Sequence, residues 1–115
     1  MAYEIVETSS FSKELKQILK KFPRSKDGIQ KHIRNLASNP HQGSVVPGFP
    51  DLEVRKIRIG LKEYRISPRN GLRLLFIVKA NKVIPCHIYH KADYKSEHKE
   101  LNKLKKILKD ILREL

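Results

Sequence analysis

The sequence predicts a single α+β domain in which helices lie outside an antiparallel β-sheet. Three observations lead to this fold class. The chain of 115 residues is long enough for one hydrophobic core and too short for two, so one domain is expected over residues 1–115. Apolar residues recur at helical spacing over residues 11–22, 29–37 and 96–115. The segments between are alternating or wholly apolar and end in turn residues, which is typical of strands.

The expected element order is β-α-α-β-β-β-α. Residues 3–8 form a short first strand, and one residue of the run 8–10 caps the first helix. Pro23 ends that helix, and Ser25 is the expected N-cap of the second. Residues 40–52 are rich in proline and glycine, so we expect a long loop there.

A β-meander follows this loop. Residues 54–59 alternate, which places Lys56 and Arg58 on one face of the strand. Extended structure is expected again at residues 64–66. Residues 67–71 contain Asn-Gly, a strong signal for a hairpin turn into the next strand.

The next two strands complete the predicted sheet. Residues 72–78 are apolar on both faces except at Arg73, which is typical of a central strand. Residues 80–82 form a second turn, and residues 83–89 form the last strand. Pro85 within that strand indicates a bulge or a sheet edge.

The charge of the chain points to a polyanionic partner. Twenty-five Lys and Arg residues against twelve Asp and Glu give a net charge of +13. Such a field attracts polyanions, foremost nucleic acid, and would equally attract an anionic membrane or an acidic protein. A single cysteine, no apolar stretch of membrane-spanning length and no signal-peptide pattern lead us to expect a cytoplasmic protein without a membrane partner.

An arginine within an apolar strand is the first candidate for a functional residue. The expected neighbour of Arg73 across the hairpin turn is Arg65 or a residue close to it. Two facing arginines repel each other unless a phosphate lies between their guanidinium groups. The alternative is structural: each arginine extends to the sheet edge or pairs with Glu53 or Glu63.

The end of the last predicted strand holds further candidates. Strand alternation places His87, Tyr89 and Lys91 on one face and His90 on the other. A histidine or lysine at a strand end can move a proton or hold a phosphate. For His87 a core position is the favoured interpretation. For His90 and Lys91, function and a solvated strand end both stay open.

Other chemistries lack support in the sequence. The histidines are scattered, and the lone cysteine has no partner at metal-ligand spacing. We find no phosphate-binding glycine loop, no nucleophile elbow and no pair of carboxylates at catalytic spacing. Neither a metal nor a small-molecule cofactor is therefore expected.

Three stretches resemble a known family. Residues 60–66 (GLKEYRI), 73–76 (RLLF) and 87–91 (HIYHK), in this element order, resemble the RelE/ParE superfamily of toxins, and the HigB/RelE branch in particular. Residues 54–59 also suit its basic strand. The resemblance covers nearly the whole chain and implies the compact RelE-like fold. The long C-terminal helix departs from the most compact members, and no glutamate base can be assigned.

The resemblance implies the toxin of a type II toxin–antitoxin system. Such toxins inhibit translation by cutting messenger RNA, commonly on the ribosome, without a metal and with the 2′-hydroxyl of the RNA as nucleophile. The implied partners are mRNA and a cognate antitoxin that is acidic in its neutralising segment. Carried over by position, the catalytic residues are Arg65, Arg73, His90 and Lys91, and the RNA-binding residues are Lys56, Arg58, Tyr94 and Lys95.

Two alternatives from other functional classes stay open. A ParE-like toxin would share the fold but bind DNA gyrase without catalysis. A plain basic nucleic-acid-binding module would have no toxin activity. The number of basic residues at the expected site favours the RNA-cleaving enzyme.

Overall fold

The computed structural model describes residues 2–93 and 97–114. It has the predicted α+β class, with helices on both faces of one sheet. Among the described residues the helices and strands are, in chain order, β1 (Glu4–Ile5), α1 (Ser9–Lys21), α2 (Lys26–Asn35), β2 (Ser44–Val45), β3 (Glu53–Ile59), β4 (Leu72–Lys79), β5 (Lys82–His90) and α3 (Glu97–Glu114).

The sheet is mixed, with the strand order β1-β5-β4-β3-β2. Strands β3, β4 and β5 form the predicted antiparallel meander. The short β2, which we did not predict, pairs antiparallel with β3. The prediction of a wholly antiparallel sheet is wrong for β1, which runs parallel to β5 and pairs Glu4 with Lys82. Because β4 occupies the other side of β5, β1 adds to the open side. Because β1 runs parallel to β5, the helices that follow it, α1 and α2, can cross the sheet on one face.

The first two helices cover one face of the sheet. In α1, Phe11, Leu15 and Ile18 are buried, and in α2, Ile29 and Ile33 are buried. They pack on one set of alternating strand residues, which includes Ile57, Ile59, Leu72, Leu74, Phe76 and Ile88. We call this side of the sheet the α1/α2 face.

The third helix covers part of the opposite face. Leu104, Leu108 and Ile111 of α3 pack on Val54, Leu75, Ile77, Ile84 and Cys86. We call this side the α3 face. The predicted stripe also included Leu101, Leu112 and Leu115, whose side chains lie outside the described residues. None of the described helices combines the length and the apolar character needed to cross a membrane.

The helix caps agree with the sequence in one case of two. The side-chain oxygen of Thr8 accepts a hydrogen bond from the backbone N–H of Phe11 at 3.3 Å and caps α1, as predicted. The side chain of Ser25 does not cap α2. Its hydroxyl donates to the carbonyl of Phe22 at 2.6 Å, because a short 3₁₀ turn, Pro23–Ser25, joins the two helices.

The connection between β3 and β4 differs from the prediction. Residues 64–66 do not extend as a strand; the chain forms a 3₁₀ turn, Lys62–Tyr64, and Arg65 takes a left-handed backbone with φ 54°. Leu61 and Ile66 exchange backbone hydrogen bonds of 2.9 and 3.1 Å, which closes a small loop. The hairpin turn predicted at 67–71 is wrong in type, because Pro68–Asn70 forms a 3₁₀ turn that leads into β4.

The β4–β5 hairpin follows the prediction closely. Ala80 and Asn81 connect the paired residues Lys79 and Lys82. Further along, the register shifts between Leu75 and Phe76, and the bulge predicted from the proline is confirmed. Since Leu75 pairs with His87 and Phe76 with Pro85, Cys86 is the extra residue.

Candidate nucleic-acid interface

A row of three polar side chains crosses the sheet on the α3 face. Arg73 on β4 lies opposite Arg58 on β3 and opposite Tyr89 on β5. Their chain neighbours, such as Ile57 and Ile88, point into the α1/α2 core, which fixes the side chains of the row on the other face. We call Arg58, Arg73 and Tyr89 the cross-strand row. It lies beside the apolar cluster that α3 covers.

Arg73 is buried and holds the neighbouring loop. Only 6% of the residue is exposed. Its guanidinium donates to the carbonyl oxygens of Pro68 at 3.0 Å, Leu72 at 3.3 Å and Arg69 at 2.7 Å. Burial, and then the charge of Arg58, lowers the pKa of Arg73. The alternative pairing with a glutamate is wrong, because backbone carbonyls take up the donors instead.

Arg58 has very different surroundings. It is exposed, and within the described part of the chain no carboxylate lies within 4.0 Å of its guanidinium. Two cations directly opposite each other on neighbouring strands are destabilising. An anion bound beside Arg58 would offset this repulsion, and a phosphate offers the geometry that a guanidinium binds best.

Tyr89 belongs to the site although we did not select it from the sequence. It is partly buried, and its ring lies 5.0 Å from that of His87, two residues earlier on the same face. The Nδ1 atom of His87 lies 2.8 Å from a carboxylate oxygen of Glu14 on α1. The other carboxylate oxygen of Glu14 accepts from the backbone N–H of Ile88 at 3.3 Å. Strand alternation already placed Tyr89 beside His87, and that signal could have identified it.

His87 has the core position that we favoured from the sequence. Only 3% of it is exposed, and it pairs across the sheet with Leu75. The contact with Glu14 ties the edge of β5 to α1, because β1 pairs only with the start of that strand.

The structure places His90 on the opposite face from the cross-strand row. His90 is buried, and its ring lies 5.1 Å from that of Phe22 in an edge contact. Lys21 donates from Nζ to Nδ1 of His90 at 3.2 Å, so the other ring nitrogen carries the hydrogen that it donates to the carbonyl of Asn70 at 3.2 Å. His90 thus joins the end of α1 to the loop before β4. The sheet separates it from Arg73.

The remaining predicted residues are spread over several places. Arg65 does not face Arg73; that expectation is wrong, because Arg58 is the cross-strand neighbour of Arg73. Lys56 is partly buried on the same face as Arg58, as predicted. Lys91 is exposed at the start of a 3₁₀ turn, Lys91–Asp93, and its backbone N–H donates to Gly71 at 2.9 Å. The predicted RNA-binding residues Tyr94 and Lys95 lie outside the described residues.

Neither a cluster of metal ligands nor a reactive thiol is found in residues 2–93 and 97–114. In that part of the chain no three His, Cys, Asp or Glu side chains meet in a group that could hold a metal ion. The thiol of Cys86 is fully buried and donates to the carbonyl of Leu75 at 3.3 Å. Burial raises the pKa of Cys86 far above its usual value, so the thiolate form is suppressed.

The chain was compared with known proteins by sequence and by structure. No protein-family model matches it, and neither a curated protein nor a solved structure gives a match.

Proposed function

We propose that the protein is an RNA-cleaving toxin that acts at the cross-strand row and needs no metal. The observation that carries the proposal is the exposed Arg58 opposite the buried Arg73, with Tyr89 on the next strand. These groups form a cationic surface with a phenol on one sheet face, in a chain of charge +13. The resemblance to RelE/HigB toxins supplies the reaction type and the substrate, messenger RNA on the ribosome.

The proposed chemistry is transfer of a phosphoryl group within the RNA. The 2′-oxygen bonds to phosphorus, its proton passes to solvent, and the 5′-oxygen leaves. Arg58 stabilises the negative charge that develops on the phosphorane oxygens. The Tyr89 hydroxyl supplies the proton that the leaving oxygen takes up. The products are a 2′,3′-cyclic phosphate and a 5′-hydroxyl end.

Arg73 has a positioning role in this proposal. It holds residues 68 and 69 through their carbonyl oxygens, and it keeps a positive charge between Arg58 and Tyr89. Lys56 lies one step further along the face of Arg58 and would bind a flanking phosphate. An acidic antitoxin segment that covers this basic surface would block access of RNA.

Purified protein tests the proposal directly. Wild type and the variants Arg58→Ala and Tyr89→Phe are incubated with ribosomes that carry a defined messenger RNA, and the new RNA ends are identified. We expect wild type to produce 2′,3′-cyclic phosphate ends, and each variant to be at least about a hundredfold slower. The control is Lys79→Ala, an exposed lysine at the far end of β4. The same RNA with 2′-deoxyribose at the cleaved nucleotide must resist cleavage.

Induction in a bacterial host tests the link to translation. Growth arrest with new transcript ends inside translated regions, both lost in Arg58→Ala, is the expected result. Arrest with intact transcripts would refute the nuclease and favour a gyrase-binding toxin. The absence of both arrest and cleavage would leave nucleic-acid binding as the function.

One observation favours that second candidate, a nucleic-acid-binding module without catalysis. Arg73 is almost fully buried and bonds to three carbonyl oxygens, so it behaves as a structural residue. Under this alternative, Tyr89→Phe would leave RNA affinity nearly unchanged and no cleavage would be measured for any variant.

A further inference from the structure

A second basic surface lies next to the cross-strand row. An open groove of about 1100 Å³ runs between α2 and the connection from β3 to β4. Gly28 lies on its α2 side and Lys62 on the connection side, and Arg58 is at its border with the row. We call it the α2 groove.

The lining of the α2 groove is strongly cationic. Five lysine or arginine residues line it, namely Lys31, Arg34, Arg58, Lys62 and Arg65. His32 also lines it, and Glu63 is its one acidic residue. Among the described residues none of these five has a carboxylate within 4.0 Å. Partial burial, and then the charge of Lys31, lowers the pKa of His32. Cations gathered without counter-charges repel one another, and a bound polyanion would relieve that repulsion.

The wall of the groove is preformed. The Tyr64 hydroxyl accepts a hydrogen bond from the backbone N–H of Arg24 at 2.9 Å, and its ring makes an edge contact with Phe22 at 5.1 Å. The Arg24 guanidinium lies over the Tyr64 ring at 4.7 Å. With the reciprocal bonds of Leu61 and Ile66, these contacts fix the small loop that carries Lys62 and Arg65. A ligand therefore meets an ordered surface and loses less entropy on binding.

We propose that the α2 groove binds the phosphates of the RNA strand that flank the cross-strand row. The inference rests on the proposed function for the choice of RNA as ligand. Arg58 belongs to both surfaces. The row lies on the α3 face and the groove on the side of α2, so one strand would reach both by passing around the edge of β3 beside Arg58, beyond the residues that pair with β2. The cations lie on both walls of the groove, which suits a chain of repeated charges. An acidic peptide is the competing occupant, and the test below separates the two.

Gly28 offers a variant that adds a negative charge to the groove without harming the fold. It lies in the first turn of α2, and a Cβ at this position meets no atom within 4 Å. Replacing glycine in a helix favours folding, and a glutamate near a helix N-terminus is stabilising. Gly28→Glu therefore adds a carboxylate to the groove in a stable protein. Ser9→Glu is the matched control, because it adds the same charge in the first turn of α1, outside the groove.

The probe is a fluorescent 2′-O-methyl oligonucleotide of about 12 nucleotides, compared with a 2′-O-methyl trinucleotide. Its blocked 2′-position prevents cleavage, so binding is measured whether or not the protein is a nuclease. We expect Gly28→Glu to weaken binding of the long probe about tenfold or more, and Ser9→Glu to change it less than about twofold. The slope of log K against the logarithm of the salt concentration should become shallower by about 0.7 for each phosphate contact removed. Both variants should bind the trinucleotide like wild type.

Three results would overturn the inference. The first is equal affinity of Gly28→Glu and wild type for the long probe. The second is an equal loss for the long probe and the trinucleotide, since that would reflect the overall field and no separate subsite. The third is an oligoglutamate peptide that binds wild type but not Gly28→Glu while the long probe binds both, which would assign the groove to a protein partner. Absence of cleavage by wild type, with the expected binding pattern intact, would refute the nuclease alone.

Discussion

Arg58 and Arg73 are direct neighbours across two strands, but their environments differ. The exposed Arg58 has open space beside it, whereas Arg73 is 6% exposed and bonds to three carbonyl oxygens. A buried guanidinium that satisfies backbone carbonyls contributes to stability, because those carbonyls would otherwise lose a partner. An exposed one contributes little to stability and remains available for a ligand.

Replacing Arg73 by methionine tests whether Arg73 stabilises the fold while Arg58 remains available for a ligand. Arg73→Met keeps an unbranched apolar stem but removes the guanidinium with the N–H groups that bind the three carbonyls, so the free energy of unfolding should fall by about 2 kcal/mol. Arg73→Lys should show an intermediate loss, since an ammonium group cannot reach all three carbonyls in the same way. Urea unfolding monitored by circular dichroism gives both values.

Arg58→Met is the matched control for this measurement. At an exposed position the same change should alter stability by less than about 0.5 kcal/mol while it weakens RNA binding. Equal stability of Arg73→Met and wild type would show that the carbonyl contacts do not hold the loop, and that conclusion would be independent of any activity.

Glu53 makes stability depend on pH at the start of β3. The hydrogen bond from Arg55, helped by His41, lowers the pKa of the Glu53 carboxyl below its ordinary value of 4.5. A lowered pKa in the folded state stabilises the protein above the ordinary value, and this contribution is lost as the pH falls through the folded value. Because the group is partly exposed, we expect only about 0.5 kcal/mol.

Unfolding by urea at two pH values checks this expectation. Glu53→Gln should be less stable than wild type near neutral pH, and the difference should disappear well below pH 4.5. The exposed Glu7→Gln serves as control and should match wild type at both values. A difference that grows on acidification would contradict the sign of the effect.

At the scale of elements, α3 is the helix whose contribution is easiest to isolate. Leu108 lies in the middle of its buried stripe, 3% exposed, and packs on the α3 face of the sheet. Leu108→Ala should lower the free energy of unfolding by about 3 kcal/mol, since it removes buried methyl groups and leaves a cavity. Lys109→Ala, on the exposed side, should have almost no effect. A loss below about 1 kcal/mol for Leu108→Ala would mean that α3 can detach from the sheet while the rest of the domain stays folded.

The elements also show what the sequence could and could not predict. Hydrophobic periodicity was enough for α1, α2, β4 and β5, and Pro85 indicated a bulge or a sheet edge, because each of these depends on its own residues. The parallel pairing of β1 depends on which sheet edge is left open, and no local pattern encodes that. The left-handed Arg65 likewise follows from the reciprocal bonds of its flanking residues, which favour a closed loop over the expected strand.

The candidate site, like the fold, could be predicted from the sequence only in part. The basic strand residues Lys56, Arg58 and Arg73 were predicted, and alternation placed the first two on one face. Register decides which residue lies opposite which, and an incorrectly extended segment at 64–66 shifted Arg65 into the place of Arg58. Tyr89 was missed although strand alternation placed it on the face of His87, whereas its position opposite Arg73 depends on the register.

On the scale of the whole molecule, two cationic surfaces are continuous with each other. The cross-strand row and the α2 groove meet at Arg58, and together they line the side of the sheet where β3 ends and β4 begins. A chain of charge +13 repels itself, and its net repulsion falls when a polyanion or an acidic partner covers that region. The same surface thus suits both the proposed substrate and a neutralising partner.

The parallel pair of β1 and β5 has a consequence for the order in which the protein matures. β1 is synthesised well before its pairing partners, Lys82 and Val83, because two helices and three strands lie between them in the chain. The sheet therefore cannot close at this edge until β5 has been made, and contacts between such distant segments slow folding. Tyr89 lies on the same late strand, so the cross-strand row is incomplete in every shorter nascent chain. The complete cross-strand row can therefore form only after synthesis has passed β5.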